Sequence, residues 1–194
     1  MFDKLSNFIA RRYSLRLMVS LLIAVACFFW LFNFSALPLS NPELKRVSNG
    51  EELLDLRLYY SAQEAFRTIE SYGAEGRALY LRFLAADFVF VPIYGLGFAL
   101  LFTRMALALW GRSSSRMWIN LLPLGIVLAD FLENICLLLL LTGYPERSLF
   151  VGALAGVATL TKHVLTFSAL LFLVIGCLSL LTRGFGSKKR LTGN

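Results

Sequence analysis

Between Leu17 and Leu37 the chain runs for 21 residues without a charged side chain, and three more apolar segments follow it. At a rise of about 1.5 Å per residue, each can cross the roughly 30 Å of hydrocarbon in a bilayer. Water is absent at that depth, so backbone groups must be satisfied within the segment, as a helix does. The reading is therefore an all-α polytopic membrane protein: residues 1–194 form a single domain, four transmembrane helices in one bundle. The predicted spans are 17–37, 84–103, 117–141 and 149–181. Composition agrees, since 58% hydrophobic residues, a mean hydropathy of +0.69 and only 16% charged residues exceed what one soluble core of 194 residues can bury. Pro38 closes the first span, and Phe34-Ser35-Ala36-Leu37 is not a small-x-small cleavage site, so this segment reads as an anchor. Only 16 residues separate Asp87 from Arg104, which draws Asp87 toward one boundary of the second span. Gly143 and Pro145 supply the stop of the third span, and the fourth is longer than one crossing requires.

Basic residues orient the bundle. Lys4, Arg11, Arg12 and Arg16, then Arg104, Arg112 and Arg116, then Arg183, Lys188, Lys189 and Arg190 all fall on one side of a four-span chain, against Asp3 alone. The positive-inside rule places that side, with both termini, in the cytoplasm, and the expected location is a bacterial inner membrane. The net charge of +7 thus reflects membrane orientation, and nucleic acid is not an expected partner. Trp110, Trp118 and Tyr144 suit interfacial belts. Cys27, Cys136 and Cys177 stand singly in apolar runs, which supports neither a disulfide scaffold nor a dithiol site.

The outer loop, 38–82, contains Ser61-Ala62-Gln63-Glu64, a capping-box pattern, followed by the apolar stripe Ala65, Phe66 and Ile69 and a stop at Gly73. A short amphipathic helix is predicted there, lying on the membrane surface, either as a tie between spans or as a lid. Upstream, Leu53, Leu54, Leu56 and Leu58 are available to face lipid.

Charged side chains inside the spans point to function. A charge at membrane depth costs several kcal/mol unless paired or hydrated, yet Asp130, Glu133 and Asn134 interrupt the third span and Lys162 and His163 the fourth. The i, i+3, i+4 spacing puts the first three on one helical face. Depth matches Asp130 with Lys162 near the midplane, with Glu133, Asn134 and Asp87 above, Tyr94 two turns from Asp87, and Arg82 at the rim. The pair alone reads as a staple that fixes helix register. Two acids and an amide leave charge that one lysine does not neutralise, and that surplus calls for a proton, a cation, water or a ligand. Asp130 and Glu133 are the candidate acid/base groups; Asp87, Tyr94, Asn134, Lys162, His163 and Arg82 are candidate ligand-binding residues. Gly152-x-x-x-Gly156 beside this region allows close helix approach, and Pro92 and Pro123 are potential kinks.

No cofactor is expected. One histidine excludes bis-histidine haem, and neither an HExxH zinc motif, a P-loop, a dinucleotide fingerprint nor a Gly-x-Ser-x-Gly elbow is present. Asp130, Glu133 and His163 lack metal-motif spacing, so no metal site is assigned. Three functions stay open: binding, with or without processing, of a lipid or amphipathic small molecule from the outer leaflet; proton- or cation-coupled transport by a homo-oligomer; or an accessory subunit held by its ion pair. In the first, Lys162 and Arg82 would hold an anionic head group while phenylalanines line the acyl path.

Gly76-Arg77-x-x-Tyr80, Asp87, Pro92-x-Tyr94, Asp130-x-x-Glu133-Asn134 and Thr161-Lys162 together resemble a pattern in uncharacterised bacterial four-span membrane proteins, over most of the chain from Tyr60 onward. The resemblance implies no activity, only that these polar positions belong together.

Overall fold

The computed structural model describes residues 2–12, 14–48, 50–111 and 115–191; Arg112 lies outside them. Every regular element among the described residues is helical: α1 (Phe2–Arg11), α2 (Leu15–Phe34), α3 (Asn41–Val47), α4 (Ala62–Ser71), α5 (Gly73–Trp110), α6 (Leu122–Thr142) and α7 (Leu149–Leu191), with 3-10 turns at Leu54–Leu56 and Ser115–Leu121. Four stretches are long and apolar enough to cross a membrane: Leu15–Phe34, Gly73–Trp110, Arg116–Thr142 and Leu149–Thr182.

Local signals set the boundaries. Ser14 caps α2 by accepting from the Leu17 amide, and the chain leaves the helix at Ser35, before Pro38. Gly73, at φ +64°, turns the chain between α4 and α5, and Gly111, at φ +78°, ends α5. The largest departure from the sequence reading is α5 itself. It runs for 38 residues, about 57 Å, where a 20-residue span was expected. The added turns bury Gly76, Leu79, Tyr80 and Phe83 at i, i+3, i+4 spacing, so this polar-looking stretch packs against protein instead of forming a loop. Pro92 sits inside that helix, whereas Pro123 occupies the first turn of α6, where a missing N–H costs nothing.

The helices alternate in direction. α2 packs on α5, α5 on α6 and α6 on α7, while α2 and α7 do not pack extensively on one another. At the end where α5 meets α6, the buried Asn120 amide donates to the Ser6 carbonyl (3.2 Å) and to Thr103 Oγ1 (3.1 Å), which fastens the N-terminal helix α1 to the bundle.

The opposite end is covered by residues 35–48 and 50–72, here called the cap. Ser40 caps α3 and donates to the Ser35 carbonyl, and Asn41 Oδ1 accepts from the Leu53 amide. Tyr72 donates to the Glu52 carbonyl at 2.6 Å. In α4 the Ser61–Glu64 capping box is complete. The apolar residues Ala62, Ala65, Phe66 and Ile69 of α4 are buried, and the helix packs mainly on α7.

Two sequence expectations are corrected here. Leu53 and Leu54 are buried in the cap core, and only Leu56 and Leu58 are exposed. The glycines of Gly152-x-x-x-Gly156 admit the cap, not another long helix. A Cβ on Gly156 would lie 1.9 Å from the Tyr60 carbonyl oxygen, and one on Gly152 would lie 2.9 Å from Ala62 Cβ. Backbone approach at that range is possible only where a side chain is missing.

Candidate functional site

Seven-residue spacing on α5 places Tyr80, Asp87 and Tyr94 on one stripe, each two turns from the next. Each meets a different partner. Tyr80 Oη donates to Asp55 Oδ1 of the cap at 3.0 Å, Asp87 Oδ2 accepts from Asn134 Nδ2 of α6 at 2.6 Å, and Tyr94 Oη donates to Asp130 Oδ2 of α6 at 2.8 Å. On α7, Thr159 donates to Glu133 Oε1 at 2.5 Å. Four buried carboxylates, Asp55, Asp87, Asp130 and Glu133, therefore each hold one neutral donor. A buried polar group without such a partner would carry its full desolvation cost.

Lys162 is the cation among them. Its Nζ lies 2.5 Å from Glu133 Oε2, 3.3 Å from Asp130 Oδ1 and 3.5 Å from the Asp55 carbonyl oxygen. Asp130 Oδ1 and the Asp55 carbonyl oxygen accept hydrogen bonds from the ammonium, while the Glu133 contact is an ion pair. His163, the next residue, directs Nε2 at the Arg57 carbonyl oxygen, 2.9 Å away. Because a carbonyl only accepts, Nε2 carries a proton there. The two side chains of α7 thus hold the 55–57 segment of the cap down on the polar cluster.

One ammonium faces four carboxylates, and two of those, Asp55 and Asp87, have no cation paired to them among the described residues. Burial pushes the Asp55 carboxyl above the usual carboxylate range; Lys162 opposes that rise and Asp130 reinforces it.

Beside this cluster lies a cavity of about 450 Å³, within the range that holds a drug-sized ligand. Asp55, Asp87, Tyr94, Asp130, Lys162 and His163 form its polar wall, and Phe29, Phe32, Phe83, Phe90 and Phe98 dominate the rest. The rings are continuous: Phe83 and Phe32 have centroids 4.7 Å apart, Phe32 and Phe90 5.5 Å, Phe90 and Tyr94 5.3 Å. Val25, Phe29 and Asn33 of α2 line one side, and His163 and Thr166 of α7 another.

Six of the eight residues singled out from sequence make contacts with one another: Tyr94, Asp130, Glu133 and Lys162 are joined in one set, and Asp87 pairs with Asn134. His163 lines the cavity but binds the cap backbone. Arg82 is corrected, for it is exposed and is not part of the cavity wall. Glu133 needs refinement too, since it is fully buried behind Lys162 and does not line the cavity, nor does Asn134. Sequence reasoning missed Asp55, and it assigned neither Tyr80, which entered only through the family resemblance, nor Thr159 to the site. For Asp55 a signal existed, a single acid set among Leu53, Leu54 and Leu56; for Tyr80 it was the spacing of seven to Asp87.

Among the described residues no three His, Cys, Asp or Glu side chains converge as a metal-binding group. Comparison with protein-family models, curated proteins and solved structures gives no match to this chain.

Proposed function

We propose that this is an integral membrane protein whose cavity binds an amphipathic small molecule or lipid. Its termini would lie in the cytoplasm and the cap on the extracytoplasmic face of a bacterial inner membrane, as the distribution of Lys and Arg favours. The observation that carries the proposal is the division of one cavity into a wall of phenylalanines and a wall of carboxylates with a lysine. A staple needs only Lys162 between Asp130 and Glu133. It does not need Asp55 and Asp87 on the wall of an adjoining space.

Access fits this reading. α2 and α7 supply facing walls without packing extensively together, and most of their residues face away from the protein, so the side between them meets the hydrocarbon. A molecule dissolved in the bilayer reaches the cavity there with its apolar part leading, while the cap closes the polar end. If binding is followed by proton transfer, Asp130 is placed for it, because it lines the cavity and Glu133 does not.

Native mass spectrometry from mild detergent tests the reading. The unaltered chain is expected to retain an amphipathic adduct, or to take one up from a membrane lipid extract. Val25→Trp, which fills the cavity from α2, is expected to lose the adduct while keeping its helical circular dichroism. No adduct on the unaltered chain under either condition would overturn the proposal.

A further inference from the structure

The occupant's polar part can be narrowed by charge, on the premise that the cavity binds an amphipathic molecule at all. The cavity wall carries Asp55, Asp87 and Asp130 against Lys162. Lys162 is already engaged by Glu133, Asp130 and the Asp55 carbonyl oxygen, and His163 by the Arg57 carbonyl oxygen. Arg82, which would have favoured an anionic head group, is elsewhere. An anion entering here would meet acids without a free cation.

Asp55 and Asp87 differ from the other acids. Each is at most 9% exposed, and each spends one oxygen on a neutral side-chain donor, with no second side-chain donor seen among the described residues. Both line the cavity. Asp87 is also framed by aromatic side chains, because Phe83 at i−4 and Phe90 at i+3 share its helical face, and Phe32 of α2 bridges the two rings. Carboxylate together with aromatic faces is the chemistry that recognises an ammonium: the acid supplies the counter-charge and the ring quadrupoles attract the cation without needing its water.

We propose that the cavity selects a protonated amine carried on an apolar group, with the ammonium held between Asp87 and Asp55 and the apolar part among Phe32, Phe83 and Phe90. The amine replaces a counter-charge that no ion pair among the described residues provides to Asp55 or Asp87. Alkylamines titrate near lysine, around pH 10, so the charged form is the one present at neutral pH.

Three ligands of one chain length separate the possibilities: decylamine, decanol and decanoate, each titrated into the purified chain in neutral-detergent micelles, with bound ligand counted by native mass spectrometry. Decylamine is expected to bind at least roughly tenfold more tightly than decanol, and decanoate to bind least. Asp87→Asn is expected to bring decylamine down to the level at which decanol binds the same variant, and Phe90→Leu to weaken decylamine more than decanol. The decylamine-to-decanol ratio in the unaltered chain needs no variant to fold. Equal binding of decylamine and decanol overturns the amine proposal while leaving the amphiphile reading intact, and tighter binding of decanoate does the same. If none of the three binds, and Val25→Trp changes nothing, the amphiphile reading itself fails.

Discussion

Lys162 Nζ lies closer to Glu133, at 2.5 Å, than to Asp130, at 3.3 Å, although Asp130 is the acid at its own depth in the bundle. The ammonium is shared, and the cap backbone at Asp55 completes its set of acceptors. An isolated pair between two helices would behave differently from this junction of α6, α7 and the cap.

Charge exchange tests that difference. Asp130→Lys with Lys162→Asp preserves a pair but leaves Glu133 beside a new aspartate and removes the donor from the Asp55 carbonyl. The double variant is therefore expected to remain as unstable as the worse single change. Lys162→Met alone leaves two buried carboxylates without a cation and is expected to cost about 3–5 kcal/mol, more than Glu133→Gln, which leaves Lys162 still paired with Asp130. Thermal unfolding in detergent measures all five: the double exchange, its two single changes, Lys162→Met and Glu133→Gln. Full restoration by the double exchange would show a simple two-residue staple.

Cap docking depends on Gly156. A methyl there would meet the Tyr60 carbonyl oxygen at 1.9 Å, and backbone on both sides leaves little to yield. Gly156→Ala is expected to lift residues 53–71 from α7 at a cost of about 1–3 kcal/mol. Gly125→Ala is the control, because its Cβ would meet only Leu165 Cδ1, at 3.5 Å. Hydrogen exchange should speed up across the cap in the first variant and in neither the cap nor the bundle in the second.

Tyr94 donates to Asp130 Oδ2 at 2.8 Å inside the bundle. Tyr94→Phe removes the donor and leaves a buried acceptor unmatched, so a loss of about 1–3 kcal/mol is expected. Asp130→Leu, which also takes an acceptor from Lys162, and the double variant complete the cycle, and the double loss is expected to fall short of the sum of the two single losses. Thermal unfolding of the three variants decides the point, and additive losses would show that the contact contributes nothing.

Helix periodicity carried the part of this site that lies on the long apolar helices. Asp130, Glu133 and Asn134 share a face because three and four residues make about one turn, and Lys162 meets them because two antiparallel helices bring equal depths together. Asp55 escaped because no periodicity links a loop residue to a helix 107 positions later; only the docking of Tyr60 on Gly156 brings its carbonyl oxygen within 3.5 Å of Lys162. The leucines around Asp55 were assigned to lipid because a leucine run beside a membrane has two apolar destinations, and sequence does not distinguish protein interior from bilayer. The length of α5 was hidden for a related reason: Glu75, Arg77 and Arg82 look like loop chemistry, while the buried Leu79 and Tyr80 between them and Phe83 just after them make the helix worth continuing.

Asp55 also gives the cap a pH dependence whose sign can be worked out. Burial raises its carboxyl above the ordinary value of about 3.8, so the folded chain holds a proton that the unfolded chain has released. Over the window from that ordinary value up through the raised one, the folded state binds more protons, and stability falls as pH rises. Below the window both states are protonated and the effect is absent; above it both are ionised and the loss is complete. Asp55→Asn keeps an acceptor for Tyr80 but has nothing to ionise. Its unfolding midpoint is expected to decline less steeply than that of the unaltered chain across the window. A decline of equal slope in both would assign the titration to another group of the cluster. A decline in the opposite direction, with the unaltered chain gaining stability as pH rises, would mean that Lys162 outweighs burial at Asp55.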